Sequence, residues 1–231
     1  MKQQLYKRIV SILVLLCFSL TVVTVAMAGP SRGGHLVVID PAHGGEEKGA
    51  RLSDRYYEKD ITLNIALSLQ KELNGAENIR VWLTRYKDRN IPISDRIGIV
   101  RMSHPDVFIS LHVNAGFGKN STGYEVYFPG FKSTSETNDA AEILGDMAKN
   151  KHLNDSIRLA QLIQKNMEKV FPRKGRGLRD APCPILKGLS MPSVVVEIGF
   201  ATNLADRKKI TDEATQGAIV RALITSIKEY F

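Results

Sequence analysis

The chain has 231 residues, of which 43% are hydrophobic, 24% charged and 7% aromatic. This balance is typical of one folded domain and excludes a collagen, a coiled coil or a disordered tail. Two cysteines, Cys17 and Cys183, cannot form a disulfide-stapled scaffold. An apolar core therefore has to hold the fold together, which a chain of this length permits.

The beginning of the chain has the features of an export signal. We predict a signal peptide over residues 1–28 and a short N-terminal segment over 29–35. The signal has a basic start, the apolar run 9–25 and the small-x-small cleavage site Ala26-Met27-Ala28. The alternative is an uncleaved membrane anchor, because the apolar run is close to the roughly 17 residues that can just span a bilayer. Either way, we expect the domain outside the cytoplasm, in the periplasm or at the cell wall.

The charge of the chain bears on its partners. The whole sequence carries 32 basic and 24 acidic residues, a net charge of +8, and removal of the three basic residues of the signal leaves 29 against 24, or +5. No run of Lys and Arg is interleaved with aromatic residues, so we expect no nucleic-acid partner. An anionic polymer of the cell envelope is the more natural partner of a basic exported protein. We also expect a monomer, with no stable membrane span once the signal is cleaved.

The rest of the sequence alternates short apolar, β-branched runs with helix-period segments, which is the α/β pattern. We predict one domain over 36–231, with a twisted, mostly parallel central sheet flanked by helices on both faces. The predicted strands are His35 to Asp40, Ile79 to Thr84, Val107 to His112, Gly123 to Phe128 and Ser193 to Glu197. The predicted helices are Asp60 to about Asn74 with Asp60 as its N-cap, Ser94 to Met102, Ile157 to Val170, and Ala205 to Tyr230 with a break near Thr211 or Gly217.

Residues 129–155 interrupt this alternation with a polar stretch and a short amphipathic helix. An excursion of this length is often a lid or a binding loop. We therefore predict an insertion that acts as a lid or a regulatory helix, the alternative being a surface insertion without a role.

Three predicted strands end in a group suited to metal binding or proton transfer. Asp40 ends the first predicted strand and His43 follows it closely. His112 ends the third strand and Glu197 ends the last. Ligands bind at the carboxyl ends of the strands in open α/β sheets, so these side chains are expected to converge.

Two histidines and one carboxylate with an open fourth position make a catalytic zinc site. We expect Glu58, on a polar loop before a helix, to supply the carboxylate. Glu197 follows three valines at a confined strand end, where it would act as a partly desolvated general base. Each residue alone also has an ordinary structural explanation.

Four segments, in this order, closely resemble the zinc-dependent N-acetylmuramoyl-L-alanine amidases of bacterial cell walls. The similarity extends over nearly all of 36–231. The segments that carry it are Val37-Val38-Ile39-Asp40-Pro41-Ala42-His43-Gly44-Gly45, Glu58-Lys59-Asp60-Ile61-Thr62-Leu63-Asn64, Ser110-Leu111-His112-Val113-Asn114-Ala115 and Val196-Glu197-Ile198-Gly199-Phe200.

The resemblance implies one Zn²⁺ per chain, held by His43, Glu58 and His112, with Glu197 as the catalytic carboxylate. The implied substrate is peptidoglycan, cut at the amide between the lactyl group of N-acetylmuramic acid and the first L-alanine of the stem peptide. The implied roles are cell-wall remodelling or cell separation, with an activator protein as a further expected partner.

Other residues have secondary roles in this interpretation. Asp40 is expected to orient a ligand histidine, and Glu142 or Asp146 to reach the metal from the inserted helix, as in relatives that cover their zinc. Arg85 and Arg96, with Asp88, are expected in a surface or groove charge network, where an arginine would suit a carboxylate of the stem peptide. Other residues of interest are Ala42, where the family usually has glycine, and His35, His104 and His152, to which we assign no metal.

Two other functions fit parts of the sequence. One is a cysteine peptidase of the cell wall with Cys183 as nucleophile, although Pro182 and Pro184 keep that cysteine out of the first turn of a regular helix, where its pKa would fall. The other is a non-catalytic peptidoglycan-binding module of the same fold, which has no need of Glu197.

Overall fold

The computed structural model describes residues 34–74, 78–116, 118–130, 140–172 and 174–231, with the backbone alone for 140–151. The predicted signal peptide 1–28 lies outside this part of the chain. This part of the chain contains six strands, five helices and one 3₁₀ turn. The strands are β1 (His35–Pro41), β2 (Ile79–Leu83), β3 (Val107–Asn114), β4 (Tyr124–Pro129), β5 (Gly175–Ala181) and β6 (Ser193–Phe200). The helices are α1 (Glu58–Leu73), α2 (Ile93–Ser103), α3 (Ala140–Met167), α4 (Leu204–Ile210) and α5 (Glu213–Tyr230), with a 3₁₀ turn at Pro184–Leu186.

All six strands form one sheet in the order β2-β1-β3-β6-β4-β5. The neighbours β2, β1, β3 and β6 run parallel, β4 is antiparallel to β6, and β5 is parallel to β4. The predicted mostly parallel sheet is confirmed. The last strand in sequence, β6, lies at the centre, between β3 and β4.

Apolar side chains cover both faces of the sheet, because neighbouring residues of a strand point to opposite sides. Val37 and Ile39 belong to a large buried cluster that includes apolar residues of α1, α3 and α5. Val38, between them, belongs to a smaller cluster with Val100 of α2 and residues of the 3₁₀ turn. The prediction of helices on both faces is therefore confirmed.

Two helix starts differ from prediction by more than one residue, and one predicted break is confirmed. Helix α1 begins at Glu58 rather than after Asp60, because the Asp60 carboxylate accepts the backbone N–H of Tyr57 at 2.8 Å from inside the first turn. The C-terminal helix is broken at Thr211, as predicted, and Asp212 caps α5 by accepting from the N–H of Thr215. The helix predicted from Ile157 instead starts at Ala140, so it includes the amphipathic segment that was expected to be separate.

Strand β5 was not predicted. Its sequence, Gly-Arg-Gly-Leu-Arg-Asp-Ala, has neither an apolar run nor a clear alternation, and none of its residues is buried. It becomes a strand by pairing with β4 at the edge of the sheet.

Candidate metal centre

A row of polar side chains crosses the centre of the sheet. His112 of β3 is the register partner of Glu197 of β6, which in turn is the partner of Glu125 of β4. Register partners point to the same face of a sheet, so these three side chains lie side by side. His43 follows the end of β1 and reaches the same place.

Three of these predicted residues form a compact group. Nitrogen atoms of His43 and His112 and a carboxylate oxygen of Glu58 all lie within 4.8 Å of one another. Nε2 of His43 is 3.2 Å from Oε2 of Glu58, and Nδ1 of His112 is 3.2 Å from Oε1 of the same carboxylate. The two imidazole rings stand nearly perpendicular, with centroids 5.6 Å apart.

Glu58 is fixed in place by the backbone around it. It is the first residue of α1 rather than part of a loop, and it is buried. Its Oε1 accepts the N–H of Val113 at 2.9 Å and its Oε2 accepts the N–H of Ala50 at 3.0 Å. Gly49 leaves the space for this arrangement, since a Cβ there would lie 2.6 Å from Oε2 of Glu58. Burial by itself would raise the pKa of Glu58, but the hydrogen bonds from His112 and His43 outweigh it and hold the pKa well below its usual range.

His43 lies on a turn with an unusual backbone. Its φ is +60°, in the left-handed region, and Gly44 and Gly45 also have positive φ. Its Nδ1 lies 3.0 Å from Oε1 of Glu47, which leaves Nε2 facing Glu58. Ala42 is not among the described non-glycine residues with positive φ, so its methyl group adds no backbone strain here.

Two buried arginines, Arg85 and Arg96, hold the turn at His43 through hydrogen bonds to its backbone carbonyls. Arg96 donates to the carbonyl of His43 at 2.6 Å and to Oδ1 of Asp40 at 2.8 Å. Arg85 donates to the carbonyls of Pro41 and Ala42 at 2.9 and 3.0 Å. Both arginines are at most 3% exposed, so the predicted surface or groove network of Arg85 and Arg96 is wrong. Their guanidinium groups satisfy backbone carbonyls that burial would otherwise leave without a partner.

Asp40 also differs from its expected role. Its carboxylate accepts hydrogen bonds from Thr84, Arg96 and Ser110, and it does not bond to a ligand histidine. Asp40 therefore acts on His43 only through Arg96, which holds the carbonyl of His43.

Replacing Arg96 with methionine is expected to lower the free energy of unfolding by about 3–5 kcal/mol, because it leaves Asp40 charged and buried without its partner. Urea unfolding of the two proteins measures this difference. Arg80→Met, at an exposed position of β2, is the matched control and should change stability by less than about 0.5 kcal/mol. Equal stabilities for the Arg96 and Arg80 variants would contradict the prediction.

The group formed by His43, Glu58 and His112 fits a zinc ion. Two imidazole nitrogens and one carboxylate oxygen are the donors of catalytic zinc sites, and here they converge, with both imidazole side chains partly exposed. Glu58 is oriented by backbone donors and His43 by Glu47, which is the outer support that such ligands require.

Without metal, the protein is expected to become less stable as the pH rises from about 5 to 8. Hydrogen bonding to Glu58 raises the pKa of His43, and for His112 the effect of Glu58 and Glu197 exceeds that of burial and raises the pKa too. The protonated histidines therefore stabilise the folded protein. Their contribution is fully present below the pKa that they have in the unfolded chain, and it is lost as the pH rises through their higher pKa in the folded protein. The pKa of Glu197 is raised as well, to about 7, so its carboxyl group also reduces the stability of the folded protein as the pH rises, but over a lower pH range.

Zinc needs neutral imidazoles, so its effect on the melting temperature should instead grow over this pH range. Thermal unfolding at three pH values, with chelator and with zinc, measures both trends. A metal-free melting temperature that increases with pH would be inconsistent with these pairings.

Glu197 has the environment of a proton-transfer group. Its Oε2 atom is buried and has no hydrogen-bond partner within the described part of the chain. Burial, together with the negative charges of Glu58 and Glu125, raises the pKa of Glu197 to about 7, although His112 opposes the shift. A carboxyl group with a pKa near neutrality can both accept and return a proton.

Cys183 does not join the site. Cys183 is half-buried against the smaller apolar cluster, and burial raises its pKa to about 11, the charge of Glu197 adding to the effect. It is thus a poor nucleophile.

Glu142 belongs to helix α3, but its side chain lies outside the described part, as do residues 131–139. The regulatory role of 129–155 stays a prediction.

Sequence reasoning missed several residues beside Glu197. Glu125 is fully buried, and its carboxylate accepts hydrogen bonds from Asn114, Tyr127 and Arg176. A glutamate inside an otherwise apolar strand was the signal that could have found it. Arg176 and Arg179 lie on β5, for which the sequence gives no strand signal.

Comparison with known proteins agrees with this geometry. The family model described as N-acetylmuramoyl-L-alanine amidase (Amidase_3) matches residues 37–229. The chain belongs to this family. The matched residues include His43, Glu58, His112 and Glu197.

Named relatives extend the comparison. N-acetylmuramoyl-L-alanine amidase AmiC of Escherichia coli O6:H1 is 26% identical over 235 residues, with 89% of this chain and 56% of AmiC covered. The probable cell wall amidase LytH of Staphylococcus epidermidis is 30% identical, with 86% and 59% covered. This family member thus spans little more than half the length of these two relatives.

A solved structure gives the same fold. The CwlD amidase of Clostridioides difficile, determined in complex with the GerS lipoprotein, superposes with a TM-score of 0.69 at 27% identity, covering 85% of this chain and 98% of CwlD. Among the helices that the structure describes for this protein, none is both long enough and apolar enough to cross a membrane.

Proposed function

We propose that the protein is a zinc-dependent N-acetylmuramoyl-L-alanine amidase. It hydrolyses the amide between the lactyl group of N-acetylmuramic acid and the L-alanine of the peptidoglycan stem. The observation that carries the proposal is the group of His43, Glu58 and His112 beside Glu197, whose buried Oε2 has no hydrogen-bond partner among the described residues. Family membership supports the choice of bond.

Each residue has a role in this reaction. His43, Glu58 and His112 hold one Zn²⁺, which supplies Lewis-acid activation of the amide carbonyl and of water. Glu197 removes a proton from the attacking water at its unpartnered Oε2, and then returns a proton to the leaving nitrogen of L-alanine. The two backbone N–H groups on Glu58 keep that ligand from rotating away. No covalent intermediate with the protein is needed.

The substrate places this activity in the cell wall. We propose that the protein is exported through its 1–28 signal and acts in the periplasm or at the wall, in remodelling or in cell separation. The mild positive charge favours contact with an anionic envelope polymer. The complex of CwlD with GerS supports the further proposal of an activator protein.

Mass spectrometry of digested peptidoglycan tests the function. The mature protein should release free stem peptides that begin at L-alanine, a chelator should abolish their release and added zinc should restore it. Cys183→Ala should remain active, since Cys183 is no nucleophile in this reaction. Release that survives chelation but disappears in Cys183→Ala would establish the thiol enzyme instead.

A further inference from the structure

Two arginines of the edge strand β5 converge beside the catalytic row. Nε of Arg176 lies 2.8 Å and Nε of Arg179 lies 3.1 Å from the same atom, Oε1 of Glu125. The other oxygen, Oε2, accepts hydrogen bonds from Asn114 and Tyr127 at 3.1 and 2.6 Å. Glu125 is thus a buried anchor that holds both guanidinium groups next to Glu197, its register partner.

An irregularity of β5 makes this convergence possible. Residues three apart in a regular strand point to opposite faces, so Arg176 and Arg179 would separate. Between its partners Tyr124 and Val126, however, the register of β5 shifts by one residue. Gly177 lies in this bulge with φ +91°, a conformation that favours glycine. The bulge turns both arginines to the face of Glu125, and bulges of this kind are frequent beside active sites.

The two arginines carry more positive charge than Glu125 requires. One guanidinium group would neutralise this carboxylate, and two leave an excess of one positive charge. Arg176 donates its Nε–H to Glu125, Arg179 forms an ion pair with the same oxygen through Nε, and no acceptor for their Nη groups is found within the described part of the chain. Their side chains are 34% and 48% exposed. Arg176 is further held over the ring of Phe200, at 5.3 Å from its centroid. The Nη groups are therefore positioned and open to a ligand.

We infer that Arg176 and Arg179 bind a carboxylate of the stem peptide, namely the α-carboxylate of its second residue. This inference rests on the proposed function. A planar guanidinium group matches a carboxylate with two parallel hydrogen bonds, and two such groups favour an anion strongly over a neutral amide.

The position of the two arginines favours the α-carboxylate of the second stem residue over the other groups near the scissile bond. The lactyl side of the scissile bond carries no charge, because its carboxyl group is the one in the amide. On the leaving side, L-alanine is neutral, and the second residue is linked through its side-chain carboxyl, which leaves its α-carboxyl free. That group lies within about 7 Å of the leaving nitrogen, two extended residues away. Glu125 and Glu197 are register partners about 5 Å apart, so the arginines lie at a matching distance.

The test compares two muropeptides that differ only at this group: one carries the free α-carboxylate at the second stem residue, the other the α-carboxamide. Wild-type protein should cleave the carboxylate form with a kcat/KM roughly tenfold higher, the effect of one charge-assisted contact. Arg179→Gln and Arg176→Gln should each bring this ratio toward one. Arg80→Gln, on the opposite edge strand, should keep the wild-type ratio.

Binding separates this inference from the proposed function. Titration calorimetry of the zinc-loaded wild type with the two stem peptides, which lack the scissile bond, should also show tighter binding of the carboxylate form. Cleavage of both muropeptides at equal rates would overturn the arginine site and leave the amidase function standing. Preferential binding without any cleavage would support the site and overturn the function.

Folding of the variants is checked by their melting temperatures. If one glutamine variant fails to fold, the other remains, because either arginine can still neutralise Glu125. The wild-type preference needs no variant, and its absence alone overturns the inference.

Discussion

Replacing Glu197 with glutamine is expected to lower the rate of amide hydrolysis by roughly 10³-fold while zinc stays bound at one ion per chain. Glutamine has the size of glutamate but cannot accept a proton from water or return one to the leaving nitrogen. In the proposed reaction Glu197 acts through Oε2, which has no partner in the described part of the chain, so the substitution breaks no hydrogen bond of that atom. Product release measured by mass spectrometry, with zinc content measured on the same sample, gives both quantities.

Glu213→Gln is the matched control for this variant. Glu213 is exposed in the first turn of α5, far along the chain from the metal-binding residues, and its replacement should leave hydrolysis at the wild-type rate. A Glu197→Gln protein that hydrolyses peptidoglycan within tenfold of wild type would refute the assignment of proton transfer to this residue. Lost zinc in that variant would show instead that Glu197 helps to hold the metal.

The Glu58→Gln variant is expected to bind zinc at least a hundredfold more weakly than wild type and to lose activity with it. The substitution removes the anionic ligand. It also disturbs the support of the side chain, because both carboxylate oxygens accept backbone N–H groups, from Val113 and Ala50. The amide NH₂ of glutamine has to face one of these donors, and two donors cannot bond to each other. Competition with a metal-binding dye measures the affinity.

Glu47→Gln provides a graded comparison. Glu47 does not belong to the metal-binding group but orients His43 through Nδ1, and loss of such a support usually lowers metal affinity by about 10–100-fold. The expected order of affinity is therefore wild type, Glu47→Gln, Glu58→Gln. The reverse order of the two variants would mean that Glu58 is not a ligand.

The sequence was sufficient to predict the centre of the fold and of the site. The β-branched runs that lead to His112 and Glu197 are buried on both faces, and such strands are nearly continuous in apolar residues. A polar residue at the end of such a run is conspicuous, and parallel strands bring their carboxyl ends together. These two regularities were enough to bring His112 and Glu197 side by side, as their register shows.

Residues whose environment depends on contacts distant in sequence were harder to predict. Arg85 and Arg96 look like surface residues by composition, and their burial follows from the backbone carbonyls of the turn at His43, which no local pattern reveals. Strand β5 is held by β4 rather than by its own propensity. Arg176 and Arg179 converge only because β5 contains a bulge. Their spacing of three residues predicts side chains on opposite faces of a strand, so the sequence did not indicate that they meet.

The central position of β6 has a consequence for biosynthesis. The three residues proposed to bind the metal all precede residue 113, whereas Glu197, the proposed proton-transfer residue, lies on β6, which inserts between two strands that precede it in the chain. A chain that has been synthesised only as far as β5 can present metal ligands but holds no acid–base group beside them. The proposed hydrolysis thus requires β6, and a chain that stops before Ser193 would lack it.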